Sequence, residues 1–112
     1  GFMAGKPGAA VITSAIPEDH KGLPPAGEMG VNAVMFYMME EGMRFIGALK
    51  IQGNVPCVRC GFGDDCKMSA IKMIYGPTAT VDSVGIQSFE SQPRNLDAAK
   101  ELGRKLAEAL KA

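Results

Sequence analysis

What this chain has little of sets the first limits. It carries one histidine, His20, and three cysteines, and its Lys plus Arg and Asp plus Glu totals cancel at 12 each. With no charge excess and no basic cluster, it lacks the electrostatic footprint of a nucleic-acid binder. No apolar run reaches the roughly 18 residues that a membrane-crossing helix requires. A lone histidine without serine and acid partners in a recognisable order gives no support to nucleophilic hydrolysis. GxGxxG after a strand, the P-loop, GxSxG and HExxH are all missing. No charged n-region, apolar h-region and cleavage site open the sequence. Three clustered cysteines among eight methionines fit a reducing interior better than a disulfide scaffold. The reading is a cytoplasmic protein with no membrane and no nucleic-acid partner.

What is present suffices for one modest domain, residues 1–112, since 46% of the chain is hydrophobic. After Gly1 a strand-like run follows almost at once, so the opening reads like the middle of a longer protein. Ala9 to Ala15, "AAVITSA", is apolar without alternation, as suits a strand covered on both faces of a parallel sheet. Ile16 to Glu28 is rich in Pro, Gly and charge and reads as a long loop, a frequent home of function. Met29 to Glu41 spaces Val31, Val34, Met35 and Met38 for a helix, with further apolar residues around them. A largely buried helix is expected, starting near Glu28 and stopped by Gly42 as a C′ residue. Methionine fills irregular gaps, so this helix belongs to a core or a subunit interface, and a homo-oligomer or association with a missing half-domain is expected. Met43 to Ile51 is the second strand. Strand, loop, helix and strand make a βαβ unit with parallel strands.

Beyond it, Gly53 to Gly63 reads as a loop. Asp64 or Asp65 is expected to cap a short helix over Cys66 to Gly76, and a short strand is expected around Val84 to Phe89. Asn95 is expected to cap a last amphipathic helix whose stripe is Leu96, Ala99, Leu102, Leu106 and Leu110. Two parallel strands and three helices cannot close a doubly wound sheet, so other chain material must complete it.

Three stretches together carry a resemblance: "GKPGAAVITSA", then "AGE" opening a helix, then "EEGMRFIGA". With "YGPTATV" and the terminal "LGRKLAEAL" helix, they resemble the second half of the flavodoxin-like NADPH-dependent FMN reductase family, which includes iron–sulfur flavoproteins and tetrameric quinone reductases. The resemblance implies an α/β fold, a flavodoxin-like parallel sheet in a three-layer α/β/α arrangement, of which this chain is the second half. It implies an FMN-dependent oxidoreductase taking electrons from NAD(P)H and passing them to a flavin, quinone or protein acceptor. The family's phosphate-binding loop follows its first strand and has no counterpart here. Its compact cluster motif lies in the first half, whereas these cysteines come late.

In open α/β sheets, ligands bind outside the carboxyl ends of the strands, where Ser14 and Ala15 fall. The resemblance implies that the corresponding loop approaches the flavin ring, which makes Thr13, Ser14, Ala15, Ile16, Pro17, Glu18 and His20 the candidate cofactor contacts. His20 would touch the flavin or donate a proton to a quinone-like acceptor, or else be a solvated loop residue.

Cys57, Cys60 and Cys66 all lie in "CVRCGFGDDC". C-x2-C offers two thiolates to one metal, and Cys66 would be a third, for zinc or an iron–sulfur cluster. A fourth ligand would come from another chain, another part of the protein or an exogenous group. A Cys57–Cys60 redox pair beside Arg59, or inert reduced thiols, are the alternatives. Two functions are open: a redox flavoprotein, and a non-catalytic flavodoxin-like interaction module.

Overall fold

A computed structural model describes residues 2–111; Gly1 lies outside them. The chain begins with strand β1 (Pro7–Ser14), helix α1 (Ala26–Glu40) and strand β2 (Arg44–Gln52). A 3-10 turn (Pro56–Val58) and three helices follow: α2 (Ala70–Tyr75), α3 (Val81–Val84) and α4 (Pro93–Lys111). β1 and β2 pair in parallel, with Ala10 opposite Ala48 and Val11 opposite Leu49. A bulge leaves Ile46 without a partner between the Gly8–Phe45 and Ala9–Gly47 pairs. The parallel βαβ unit expected from the sequence is therefore present.

Alternation along the strands separates two faces. On one, Met38 of α1 closes over Gly8, and Gly30 of α1 sits against Ile12. On the other, Leu102 of α4 lies over Gly47, and the α4 stripe flanks a groove with Ala9, Val11 and Leu49. α1 ends as expected at Gly42, with φ +75°. Met43 N–H donates to Met38 O and Gly42 N–H to Met39 O, at 2.9 and 3.0 Å, the Schellman pattern.

Four expectations need correction. α1 is not largely buried: only Gly27 in it is fully covered, and Met29, Phe36, Tyr37 and Met39 are each more than half exposed. A helix apolar all round here has one face without a partner among the described residues. Ser69, not Asp64 or Asp65, precedes α2, because Asp64 is used elsewhere: its Oδ1 accepts the Val81 N–H of α3 at 2.7 Å. Val84 ends α3, and residues 85–89 form no strand. Asn54 replaces the ladder there, its side-chain amide both accepting from Gln87 N–H and donating to Gln87 O at 2.7 Å. Asn95 is not the cap of α4. The helix opens at Pro93, whose fixed φ and absent N–H suit the first position, and Asn95 lies buried in the first turn, bonded to Gln92.

The core is small and divided. Ala10 and Leu49 are buried in the sheet, while Val55, Val58, Ile71 and Ala79 form a second cluster beneath the later helices. The accessible surface is 7577 Å², against about 5,900 Å² for a compact monomer of this mass. The radius of gyration is 17.3 Å, against about 13 Å for a compact chain of this length. Val11, mid-strand and uncharged, is 61% exposed. The described residues place no strand beyond β1. No helix among them is long and apolar enough to cross a membrane.

Candidate functional site

The carboxyl ends of both strands open into one cleft of about 270 Å³. Ser14 closes β1 and Gln52 closes β2, and they stand opposite one another in the sheet. Ile16, Pro17 and Ile51 give the cleft apolar lining; Glu18, Asp19 and Lys50 give it charge. Its polar geometry comes from three neutral side chains. Ser14 Oγ accepts the Ile16 N–H and donates to Ile16 O, both at 3.3 Å, which turns the chain out of β1. Gln52 Nε2 donates to Ala15 O at 2.8 Å and to Gly53 O at 3.2 Å. Gln92 reaches in from the start of α4 and bonds the Gln52 backbone.

An ion cluster latches the loop to the sheet. The Lys50 ammonium lies 3.0 Å from Glu28 of α1 and 3.7 Å from Glu18 of the loop. The Glu28 hydrogen bond is the main reason that Lys50 is held above its ordinary pKa, with the charges of Glu28 and Glu18 adding to it and desolvation opposing. Gly27 makes room for this arrangement: a Cβ there would strike the Glu18 carboxylate. The cleft's cation is thus already paired, and its lining carboxylates leave it without a ready anion site.

Of the seven expected cofactor contacts, Ser14, Ile16, Pro17 and Glu18 line the cleft. Thr13 is paired with Ile51 within the sheet, and Ala15 packs on the Val55–Ile71 cluster; neither lines the cleft. His20 is turned away from it. Its Nε2 bonds Ile74 O at 2.6 Å, and its Nδ1 accepts the Gly22 N–H at 3.1 Å. A ring nitrogen that accepts carries no proton, so the pattern assigns the Nε2–H tautomer. His20 is a pin between the loop and α2. Asp19, Lys50, Gln52 and Gln92 were not foreseen. Gln52 was within reach, since the strand-end rule that selected Ser14 applies equally to β2. Gln92 carries no local signal.

The cysteines share one curled loop without converging. Cys57 is half-buried, and its Sγ accepts the Ala70 N–H at 3.4 Å. Cys60 is exposed; its Sγ accepts the Phe62 N–H at 3.3 Å and donates to Cys57 O at 3.6 Å. Cys66 is exposed. Among the described residues, no three His, Cys, Asp or Glu side chains are gathered closely enough to hold a metal ion.

Comparison with protein-family models, with curated proteins and with solved structures finds no match.

Proposed function

We propose that this chain is part of a flavodoxin-like redox protein of the reducing cytoplasm, and that its cleft receives the ring of FMN. One observation carries the reading: two parallel strands end side by side at an apolar-walled cleft, where open α/β sheets hold their ligands. The rest of the three-layer sheet would continue from the β1 edge, where Val11 stands exposed; the surface of the whole chain exceeds that of a compact monomer by about 1,700 Å².

The fit is partial, and it divides the cofactor. At about 270 Å³ the cleft is slightly smaller than the roughly 300–1,000 Å³ of ordinary small-molecule sites. It suits one edge of a planar ring. It does not suit the phosphate, because Lys50 is already engaged by two carboxylates. Phosphate capture would fall to polypeptide beyond β1. A flavin supplies hydride and single-electron transfer when bound. This chain's contribution would be positional: Ile16 and Pro17 exclude water from one ring face, and the turn held by Ser14 and Gln52 fixes the backbone that faces the ring edge. NAD(P)H would be the donor and a flavin, quinone or protein the acceptor.

The test is spectral. The purified chain mixed with FMN should give a perturbed flavin band at ~450 nm that NADPH bleaches without oxygen. A band identical to that of free FMN at every chain concentration would overturn the reading. The exposed apolar face of α1 favours a second reading, a non-catalytic interaction module that builds an oligomer through it; a chain that associates but never perturbs FMN would support it.

A further inference from the structure

We infer that Cys57 and Cys60 are a thiol–disulfide exchange pair: Cys60 attacks a low-molecular-weight disulfide from solvent, and Cys57 resolves the mixed disulfide to leave a Cys57–Cys60 bond. The inference stands apart from the flavin cleft. Its first support is the backbone between the two residues. Val58 ends the 3-10 turn, and Arg59 follows at φ −120° and ψ −6°. A helical residue followed by one with ψ near zero makes a type I turn, which holds its end Cα atoms within about 7 Å. A disulfide spans about 4.4–6.8 Å between Cα atoms, so the bond asks for no new backbone path. The turn is also held in place. Pro56 opens it with a fixed φ, and Val58, 8% exposed, is rooted in the cluster of Val55, Ile71 and Ala79.

The second support is that the two thiols are unequal, as the two roles require. Cys60 is exposed, while Cys57 is half-buried and packs on the same cluster. Cys60 Sγ already folds back onto the partner residue, donating to Cys57 O at 3.6 Å. Turning about χ1 is the motion that remains. Each sulfur also accepts a backbone N–H, from Phe62 at 3.3 Å on Cys60 and from Ala70 at 3.4 Å on Cys57. Gly61, with φ +87°, supplies the turn that brings the Phe62 amide back. These amides face the two sulfurs on which negative charge develops in turn during exchange. Cys66 lies outside the turn: it is exposed, and its N–H donates to Phe62 O at 2.9 Å. It is the chain's own reference thiol.

The exchange balances with the disulfide, R–S–S–R, as oxidant. Cys60 gives its proton to solvent, bonds to one sulfur of the substrate and expels the other as a thiolate, which takes a proton from solvent. Cys57 then gives up its proton, bonds to Cys60 Sγ and breaks the mixed disulfide, and the second thiolate is protonated likewise. The substrate gains two electrons and two protons and leaves as two thiols; the chain loses the same two of each. A disulfide made and unmade in this way is the kind that a reducing interior admits.

Glutathione disulfide is the probe, added to the reduced chain without oxygen; remaining thiols are then alkylated and the chain is cut with trypsin. Cleavage after Lys50, Arg59 and Lys67 puts Cys57 in peptide 51–59 and Cys60 with Cys66 in peptide 60–67. The expected product is the two peptides joined by one disulfide, in the unmutated chain and equally in Cys66→Ser, and separated again by a dithiol. Cys57→Ser should trap glutathione on Cys60. Cys60→Ser should acquire it on Cys57 at least ~10-fold more slowly, since that thiol is half-buried. The unmutated chain reports the linkage whether or not a variant folds. Separate glutathione adducts on Cys57 and Cys60 with no joined peptides, or a disulfide within peptide 60–67, would overturn the inference. So would glutathione trapping on Cys57 as fast as on Cys60, or joined peptides that vanish in Cys66→Ser.

Discussion

The side-chain amide of Gln92 pairs with the backbone of Gln52 as a neighbouring strand would. Gln52 N–H donates to Gln92 Oε1 at 3.2 Å, and Gln92 Nε2 donates to Gln52 O at 3.0 Å. The same amide donates to Ser88 O and accepts from Asn95 Nδ2. One residue thus closes the outer edge of β2 at the cleft and ties it to the start of α4. The sheet's two edges are therefore unlike: β2 ends in a side-chain seal, while β1 is an uncharged strand on which Val11 and Thr13 are exposed. Gln92→Ala removes these bonds together. At about 0.5–1 kcal/mol net for each of the four bonds, a loss of ~2–4 kcal/mol is expected, measured as a lower urea midpoint at unchanged slope.

Two glycines of α1 should respond unequally to the same change. At Gly30 a Cβ would lie 2.9 Å from Ile12 Cγ2, a short branch that cannot swing away. The helix-propensity gain of ~1 kcal/mol is outweighed by overpacking of ~1–3 kcal/mol, so Gly30→Ala destabilises. At Gly27 the Cβ meets the mobile end of Glu18, which yields by leaving Lys50. That ion pair is solvent-exposed and screened, so Gly27→Ala should leave the unfolding midpoint almost unchanged while freeing the loop. Thermal unfolding of both variants checks the order.

His20 should act as a fastener, not a catalyst. His20→Ala removes the bond to Ile74 O and the acceptor for the Gly22 N–H. Hydrogen exchange at Gly22 should accelerate strongly, while exchange within β1 and β2 stays as it was. A nitrogen-15 spectrum of the ring should report the Nε2–H tautomer in the unmutated chain.

The Lys50 latch should be alkaline-labile. Its folded pKa is raised above the ordinary 10.5, chiefly by the hydrogen bond from Lys50 to Glu28. A raised pKa means that the folded state holds the proton more tightly, so the stabilisation is complete below the unfolded pKa. It is lost as pH rises through the folded value. The nitrogen-15 shift of Lys50 Nζ should stay constant through neutral pH and move only at alkaline pH, above the range of an ordinary lysine.

Much of this was readable from the residues, and the failures share a cause. The unbroken apolar run at Ala9 and the breaker at Gly42 are local signals, and they located the βαβ unit and its parallel strands. The strand expected at Val84 failed because Asn54 and Gln92, distant in sequence, do the work of a ladder with side-chain amides. The cap expected at Asp64 failed because that carboxylate serves α3, and Asn95 lost the cap position to a helix that opens two residues earlier at Pro93. At the site, Ser14 followed from a rule about strand ends, which also pointed to Ala15, outside the cleft; Ile16 followed from the family resemblance. His20 did not, because the direction of a loop side chain depends on a carbonyl 54 residues away.

The most direct test of the account is a map of amide shifts on the isotopically labelled chain as FMN is added. The account predicts saturable shifts confined to Ser14, Ile16, Glu18, Asp19, Gly27 and Gln52, with the cysteine loop and the far end of α4 unmoved. Shifts scattered over the surface without saturation, or none at millimolar FMN, would contradict it.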